Sequence, residues 1–158
     1  MKIQERILIV EDDANDAFFI QNALKFSGVK CSPHVCTNAR DAIEYLQGAN
    51  HYADRARFPF PHLLITDLKM PGGGGFDLLQ WLRDHPGYLV IPIIVLSSSA
   101  LQTDVMRAYC MGANAYIQKP VDPAKFRQVF IDLLRFWAHC EVPERPAPKA
   151  ALNLYSHL

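Results

Sequence analysis

The sequence predicts an α/β fold in which a doubly wound, five-stranded parallel sheet carries helices on both faces. Short apolar runs alternate with helical patterns five times along the 158 residues. Continuous apolar runs of this length are typical of parallel strands that are buried on both faces. Strand-then-helix units joined in this way form a layered sheet with its helices outside.

The first two units occupy the sequence from residue 7 to residue 46. The β-branched run 7–10 predicts the first strand, and a helical pattern over 14–26 follows it. The second predicted strand is 31–36, and Pro33 within it indicates an edge position because proline cannot donate to a ladder. Asn38 is a suitable cap for a second helix that runs to residue 46.

The third unit is preceded by a long predicted loop, 48–61, which contains two prolines. A buried strand over 63–66 then ends at Asp67. The run 71–75, one proline and four glycines, is expected to be a mobile turn, and a helix is predicted over 76–83.

The last two units complete the predicted sheet. We expect strands at 91–96 and 115–117, with a helix over 102–111 between them. Asp122 followed by proline is typical of a helix start, and the apolar stripe after it predicts a helix to about residue 139. We therefore expect one domain over 1–140 and a proline-rich tail over 141–158.

Composition restricts the possible functions. Sixteen basic residues balance sixteen acidic ones, so the chain has no net charge that would attract it to nucleic acid or to an anionic membrane. The four cysteines lack zinc-site spacing, and the amino-terminal apolar run is too short for a signal peptide or a membrane span. We expect a cytoplasmic protein.

Side chains with a carboxylate, a hydroxyl or an amine follow four of the five predicted strands. They are Glu11, Asp12 and Asp13 after the first, Asp67 after the third, Ser97 at the end of the fourth and Lys119 after the fifth. Ligands in such folds bind beyond the carboxyl ends of the strands. Carboxylates that converge there repel one another unless a divalent cation neutralises them, and all-oxygen ligands suit Mg²⁺.

Asp67 is placed to attack phosphorus and to hold the group as an acyl phosphate. The Lys119 ammonium would pair with Asp67 or with a phosphoryl oxygen, and the Ser97 hydroxyl would donate to another. Taken singly, each residue has an ordinary structural explanation as a helix cap, a turn residue or a surface lysine. Their common position at one edge favours the chemical interpretation.

Four ordered stretches resemble the response-regulator receiver family of two-component systems. They are Ile-Leu-Ile-Val-Glu-Asp-Asp at 7–13, Leu-Leu-Ile-Thr-Asp-Leu-Lys-Met-Pro at 63–71, Ile-Ile-Val-Leu-Ser-Ser at 93–98 and Gly-Ala-Asn-Ala-Tyr-Ile-Gln-Lys-Pro at 112–120. The resemblance covers about residues 5 to 138. It implies a flavodoxin-like strand order 2-1-3-4-5 and phosphorylation of an aspartate by a histidine kinase.

The resemblance also implies roles for individual residues. Asp67 would be the phosphoacceptor, assisted by Lys119 and Ser97. The implied Mg²⁺ ligands are Glu11, Asp12, Asp67 and the backbone carbonyl of Lys69, with Asp13 outside the ligand set. The Lys119–Pro120 peptide bond would be cis, and a switch would couple Ser97 to the ring of Tyr116.

Partners follow from the same resemblance. The first helix would receive the histidine kinase through Asn15, Phe18 and Phe19, because Ala17, Ile20 and Leu24 can supply its core stripe. The long loop and the lack of an output domain are similar to stand-alone regulators of phytochrome-type kinases. Aromatic residues on the last helix, Phe126, Phe130, Phe136 and Trp137, favour a homodimer.

Two other functions remain open on the sequence. One is an aspartate-nucleophile, Mg²⁺-dependent phosphatase, although Lys69 stands where such enzymes generally have a second acid. The other is a non-phosphorylated scaffold with the same fold, which would be expected to lose site residues. The resemblance favours a phosphoacceptor that is not an enzyme in the ordinary sense. The sequence does not identify the cognate kinase, the input signal or the downstream target.

Overall fold

Five short parallel strands form a single sheet in a computed structural model that describes residues 6–71 and 74–143. The strands are β1 (Arg6–Val10), β2 (Ser32–Cys36), β3 (Leu63–Thr66), β4 (Ile93–Ser97) and β5 (Ala115–Gln118). Their order is β2-β1-β3-β4-β5, and every neighbouring pair is parallel. The predicted fold and strand order are confirmed.

Four helices connect the strands, a fifth follows the last strand, and together they cover both faces of the sheet. They are α1 (Ala14–Phe26), α2 (Ala39–Gln47), α3 (Gly75–Asp84), α4 (Gln102–Cys110) and α5 (Pro123–Ala138). The caps at Asn38 and Asp122 are those expected from the sequence, and each side chain accepts a backbone N–H of its helix. None of the described helices is both long enough and apolar enough to cross a membrane.

Strand side chains divide the core into two layers because they alternate across the sheet. Leu8, Leu64 and Val95 face the layer that is completed by α2, α3 and α4. Ile9, Ile65 and Ile94 face the layer under α1 and α5. The central strands β1, β3 and β4 are almost wholly buried, as the continuous apolar runs predict, whereas β2 and β5 lie at the edges.

The loop after α2 is held by one arginine. The Arg55 guanidinium donates to the backbone carbonyls of Tyr45 at 2.8 Å, Leu46 at 2.6 Å and Phe58 at 3.1 Å. The first two carbonyls belong to the last turn of α2, where the regular hydrogen bonds to residues four positions later end; the Tyr45 carbonyl also accepts from the Gly48 N–H at 3.1 Å. Arg55 therefore ties the loop to the end of the helix, and the loop also contains a short 3₁₀ turn over Asn50–Tyr52.

The start of α3 lies directly against the backbone that follows β3. Gly75 opens the helix one residue earlier than predicted, and its N–H donates to the Leu68 carbonyl at 3.1 Å. A Cβ at Gly75 would collide with the backbone carbonyl oxygen of Asp67. Gly72 and Gly73 lie outside the described residues, so the predicted mobility of this turn is untested there.

We predict that Gly75→Ala lowers the free energy of unfolding by about 3 kcal/mol, because the added methyl group can be accommodated only by moving backbone. Gly28→Ala is the matched control. Gly28 has φ +75° and no heavy atom within 4 Å of an added Cβ, so it should lose only about 1 kcal/mol through backbone strain. Urea denaturation measures both values. Equal losses would show that Gly75 has no packing role.

Candidate functional site

The carboxyl ends of the strands bring the predicted side chains to one edge of the sheet. The hydrogen-bond ladders between neighbouring strands continue by one bond beyond the strand ends at this edge. The Asp67 N–H donates to the Val10 carbonyl at 3.0 Å, and the Lys119 N–H donates to the Ser97 carbonyl at 2.8 Å. The backbones that carry the acids and the amine are therefore fixed by the sheet itself.

Asp67 is a buried aspartate with different partners on its two oxygens. Its side-chain relative exposure is 7%. Oδ1 accepts from the backbone N–H groups of Leu68 at 2.6 Å and Lys69 at 3.2 Å. Oδ2 accepts from the Lys119 ammonium at 2.8 Å. These contacts orient the carboxylate and stabilise its charge in a site from which water is largely excluded.

Lys119 contacts three carboxylates at once. Its Nζ lies 2.8 Å from Glu11 Oε2, 2.7 Å from Asp16 Oδ2 and 2.8 Å from Asp67 Oδ2. Burial acts to lower the pKa of Lys119, but the hydrogen bonds to Asp16, Asp67 and Glu11 outweigh it, so the pKa is raised above its usual value. The ammonium is thus firmly protonated and uses all three of its N–H donors.

Glu11 is the most deeply buried acid of the site. Burial raises its pKa to about 7, and hydrogen bonds from Lys119 and from the Asp13 backbone N–H offset only part of that rise. Near neutral pH, Glu11 would have to release a bound proton before its carboxylate could bind a metal ion.

The donor set suits a hard divalent cation. Carboxylate oxygens of Glu11, Asp12 and Asp67 lie within 4.8 Å of one another. Oxygen-only ligands of this kind are those that Mg²⁺ prefers. Asp13 is not in the cluster, because its Oδ1 caps α1 by accepting from the N–H groups of Asn15 and Asp16, each at 2.9 Å.

The sequence matches a known family over most of its length. The family model for the response regulator receiver domain matches residues 7–131. The chain belongs to the response-regulator receiver family. Its fold and the ordered set of strand-end residues agree with that membership.

Proteins similar to this receiver include response regulators, one of which is named as a phytochrome response regulator. The chain is 28% identical over 131 residues to response regulator Rcp1 of Synechocystis sp., covering 83% of this chain and 87% of that protein. The crystal structure of the phosphorylated cyanobacterial phytochrome response regulator RcpA superposes with a TM-score of 0.81 at 28% identity, covering 88% of this chain and 99% of that one. The Mn²⁺-bound form of Rcp1 gives 0.78 at 27% identity, covering 87% and 97%.

The two residues expected to switch, Ser97 at the end of β4 and Tyr116 on β5, meet at the segment between β4 and α4. Ser97 is fully buried, and its Oγ accepts from the Ser99 N–H at 3.2 Å. The Tyr116 ring packs partly against the core, and its hydroxyl donates to the Ser99 carbonyl at 2.9 Å. Ser99 Oγ in turn donates to Asp104 Oδ2 at 2.5 Å. Tyr116 is therefore turned inward, and its hydroxyl is anchored.

One expectation about this edge is wrong. The Lys119–Pro120 peptide bond was expected to be cis, but no peptide bond between described residues is cis. A trans bond is the ordinary form, by about 0.5–1 kcal/mol for a bond to proline. The Lys119 side chain reaches all three carboxylates from the trans geometry, so a cis bond is not needed to direct the ammonium inward.

Asp16 is the site residue that the sequence interpretation missed. It lies in the first turn of α1, and its carboxylate makes the shortest of the three contacts with Lys119. Its position in the sequence, a few residues after the end of β1, could have indicated this role. The first turn of a helix that follows a strand lies beside the end of that strand, so an acid there belongs to the same edge.

The exposed face of α1 carries the aromatic residues expected to meet a partner. Phe18 is 59% exposed and Phe19 is 45% exposed, while Ala17, Ile20 and Leu24 are buried as predicted. Asn15 is also exposed. A groove of about 260 Å³ runs beside Phe19, between α1 and α5.

Proposed function

We propose that this receiver accepts a phosphoryl group on Asp67 from a histidine kinase and then changes its surface for protein–protein signalling. The observation that carries the proposal is the contact between Lys119 and Asp67 beside the Glu11 and Asp12 carboxylates. A nucleophilic carboxylate, a fixed cation and a cluster of oxygen ligands are the parts that phosphoryl transfer requires.

In the proposed reaction an oxygen of Asp67 attacks phosphorus, the bond from phosphorus to the kinase histidine nitrogen breaks, and that nitrogen keeps the electron pair. Oδ1 is held by two backbone amides, which leaves Oδ2, beside Lys119, as the attacking oxygen. Lys119 then donates to a phosphoryl oxygen, and Ser97 donates to another. A bound Mg²⁺, held by Glu11, Asp12, Asp67 and the Lys69 carbonyl, would neutralise charge on the transferred group.

The test is incubation with Mg²⁺ and radiolabelled acetyl phosphate, with EDTA in a parallel sample. We expect base-labile label that approaches one phosphoryl group per chain with Mg²⁺ and none with EDTA. An aspartate-nucleophile phosphatase would instead show steady turnover of a small phosphate ester such as p-nitrophenyl phosphate. A scaffold that is not phosphorylated would take up no label under either condition.

Mg²⁺ binding is predicted to weaken as the pH falls below 7. Because burial raises the pKa of Glu11 to about 7, its carboxyl group holds a proton below pH 7 that must be released when it binds the cation. The apparent dissociation constant should therefore rise by about tenfold per pH unit below pH 7 and level off above it. Calorimetric titration between pH 5.5 and 8.5 measures this. Glu11→Gln should bind more weakly and lose the dependence; the same slope in that variant would exclude Glu11 as its origin.

Phosphorylation is expected to act through Ser97 and Tyr116. A phosphoryl oxygen that draws the Ser97 hydroxyl toward it would disturb the hydrogen bond from the Ser99 N–H to Ser97 Oγ. The Tyr116 hydroxyl is bonded to the Ser99 carbonyl in the same segment. The start of α4 is therefore the surface that we propose to change.

The proposed kinase is of the phytochrome type, which is supported by the similar structures titled phytochrome and bacteriophytochrome response regulators. Phe18 and Phe19 on α1, with Asn15, are the proposed contacts.

We predict that Phe18→Ser slows phosphotransfer from a phosphorylated phytochrome kinase by about tenfold, as loss of an aromatic anchor does. Labelling by acetyl phosphate should be unchanged. Leu89→Ser, which removes an exposed apolar side chain (38%) that precedes β4, at the opposite edge of the sheet, is the control and should affect neither rate.

We further propose a cytoplasmic protein with the receiver domain over 1–140, a tail over 141–158 and a homodimeric state. Of the four aromatic residues on α5 that favoured a dimer, Phe126 and Phe130 are buried in the core and Trp137 packs partly against it. Phe136, 63% exposed, now supports the dimer by itself. Light scattering that finds a monomer at high concentration would remove this proposal. The tail beyond residue 143 lies outside the described residues.

A further inference from the structure

The Asp16 carboxylate differs from the other two that bind Lys119. Glu11 and Asp67 also belong to the group of oxygens that can hold a cation, whereas Asp16 does not. Asp16 is also the most exposed of the three, with a side-chain relative exposure of 34% against 1% for Glu11 and 7% for Asp67. Among the described carboxylates that contact Lys119, it is therefore the one that a bound cation leaves free.

We propose that Asp16 is a positioning residue that holds the Lys119 ammonium against Asp67 when Glu11 and Asp67 are engaged with a divalent cation. The inference rests on the proposed phosphoacceptor function and assigns to Asp16 a part in it. Asp16 does not touch the reacting atoms; it acts through Lys119.

The physical reason is the flexibility of the lysine side chain. Lysine is a compact charge on a stem of four methylene groups, and an unanchored ammonium prefers to be hydrated. With a cation bound, the carboxylates of Glu11 and Asp67 would share their electron density with it and would become weaker acceptors for Lys119. Asp16 does not share its carboxylate with the cation, and it holds the ammonium, 2.7 Å away, at this edge of the sheet.

Anchoring by Asp16 prepares the site for the phosphoryl group. When Asp67 Oδ2 forms the bond to phosphorus, the N–H that Lys119 now directs at Oδ2 becomes available to a phosphoryl oxygen next to it. A donor that is already in place costs no reorganisation during the transfer. The opposite role, in which Asp16 competes with the phosphoryl group for the ammonium, predicts the opposite sign for its removal.

The first measurement follows the ammonium itself and needs no phosphorylation. In ¹H–¹⁵N spectra that select lysine side chains, the signal of Lys119 is assigned by its absence from Lys119→Arg. With saturating Mg²⁺, the Lys119 ammonium hydrogens should exchange with water about tenfold faster in Asp16→Asn than in the natural chain. Asp16→Glu should restore much of the protection, and Asp77→Asn, an exposed first-turn acid of α3, should leave it unchanged.

The second measurement is the rate of labelling by acetyl phosphate at saturating Mg²⁺. Asp16→Asn should lower the maximal rate by about tenfold, with little change in the Mg²⁺ concentration for half-saturation. Asp77→Asn should label like the natural chain and thereby control for lost charge at a helix amino terminus. Unchanged ammonium exchange, or labelling as fast as the natural chain or faster, would overturn the assignment of Asp16. Failure of the natural chain to label would instead refute the phosphoacceptor function.

Discussion

Asp67→Asn is expected to abolish phosphoryl incorporation from acetyl phosphate. The amide cannot act as the nucleophile, yet it keeps nearly the shape of the carboxylate and can still accept from the Leu68 and Lys69 amides. The variant should therefore fold and lose only the chemistry. Label per chain, measured at saturating Mg²⁺, should fall to the background of an unphosphorylated control.

Asp77→Asn is the matched control for Asp67→Asn. Asp77 is an exposed aspartate in the first turn of α3, and it contributes nothing to the acidic cluster. This variant should label like the natural chain. If Asp67→Asn and the natural chain incorporated equal label, the acceptor would lie elsewhere and the proposed mechanism would be wrong.

Lys119→Met is expected to have a large effect on both stability and chemistry. Removing the ammonium leaves Glu11 and Asp67 buried beside Asp16 without a counter-charge. Without Mg²⁺ at pH 8, the free energy of unfolding should fall by about 3 kcal/mol, as when one partner of a buried ion pair is removed. Added Mg²⁺ should restore part of this loss, because the cation neutralises the same carboxylates and binds only the folded state.

The labelling rate of Lys119→Met should fall by about 100-fold, the usual cost of removing one donor to a developing anion. Lys125→Met, which removes an exposed lysine on α5, should match the natural chain in both measurements. Urea denaturation with and without Mg²⁺ gives the stabilities, and acetyl phosphate labelling gives the rates. A stability equal to that of the natural chain would show that the three carboxylates do not depend on Lys119 for their charge balance.

Most of the fold was predictable because its signals are local. The apolar runs that form β1, β3 and β4 are buried on both faces, so their sequences are continuously apolar and do not alternate between apolar and polar residues. The caps at Asn38 and Asp122 marked helix starts correctly, and Pro33 correctly marked an edge strand. The convergence of Glu11, Asp67 and Lys119 followed from one property of parallel sheets, that strand ends share an edge.

What the sequence did not reveal depends on contacts between distant segments. The anchoring of the 48–61 loop by Arg55 requires knowing where the end of α2 lies. The close approach of Gly75 to the Asp67 backbone was interpreted as flexibility, because composition alone cannot separate a mobile glycine from a crowded one. The position of Asp16 in the first turn of α1 indicated that it lies at this edge, but its contact with Lys119, which follows β5, is seen only in the structure.

The central claim, that Asp67 carries the phosphoryl group, is tested most directly by borohydride trapping followed by peptide mass spectrometry. Borohydride reduces an aspartyl phosphate to homoserine and leaves an unmodified carboxylate intact. After reaction with Mg²⁺ and acetyl phosphate, homoserine should appear at position 67 and at no other aspartate. An unmodified Asp67 in labelled protein, with homoserine at another position, would contradict the account.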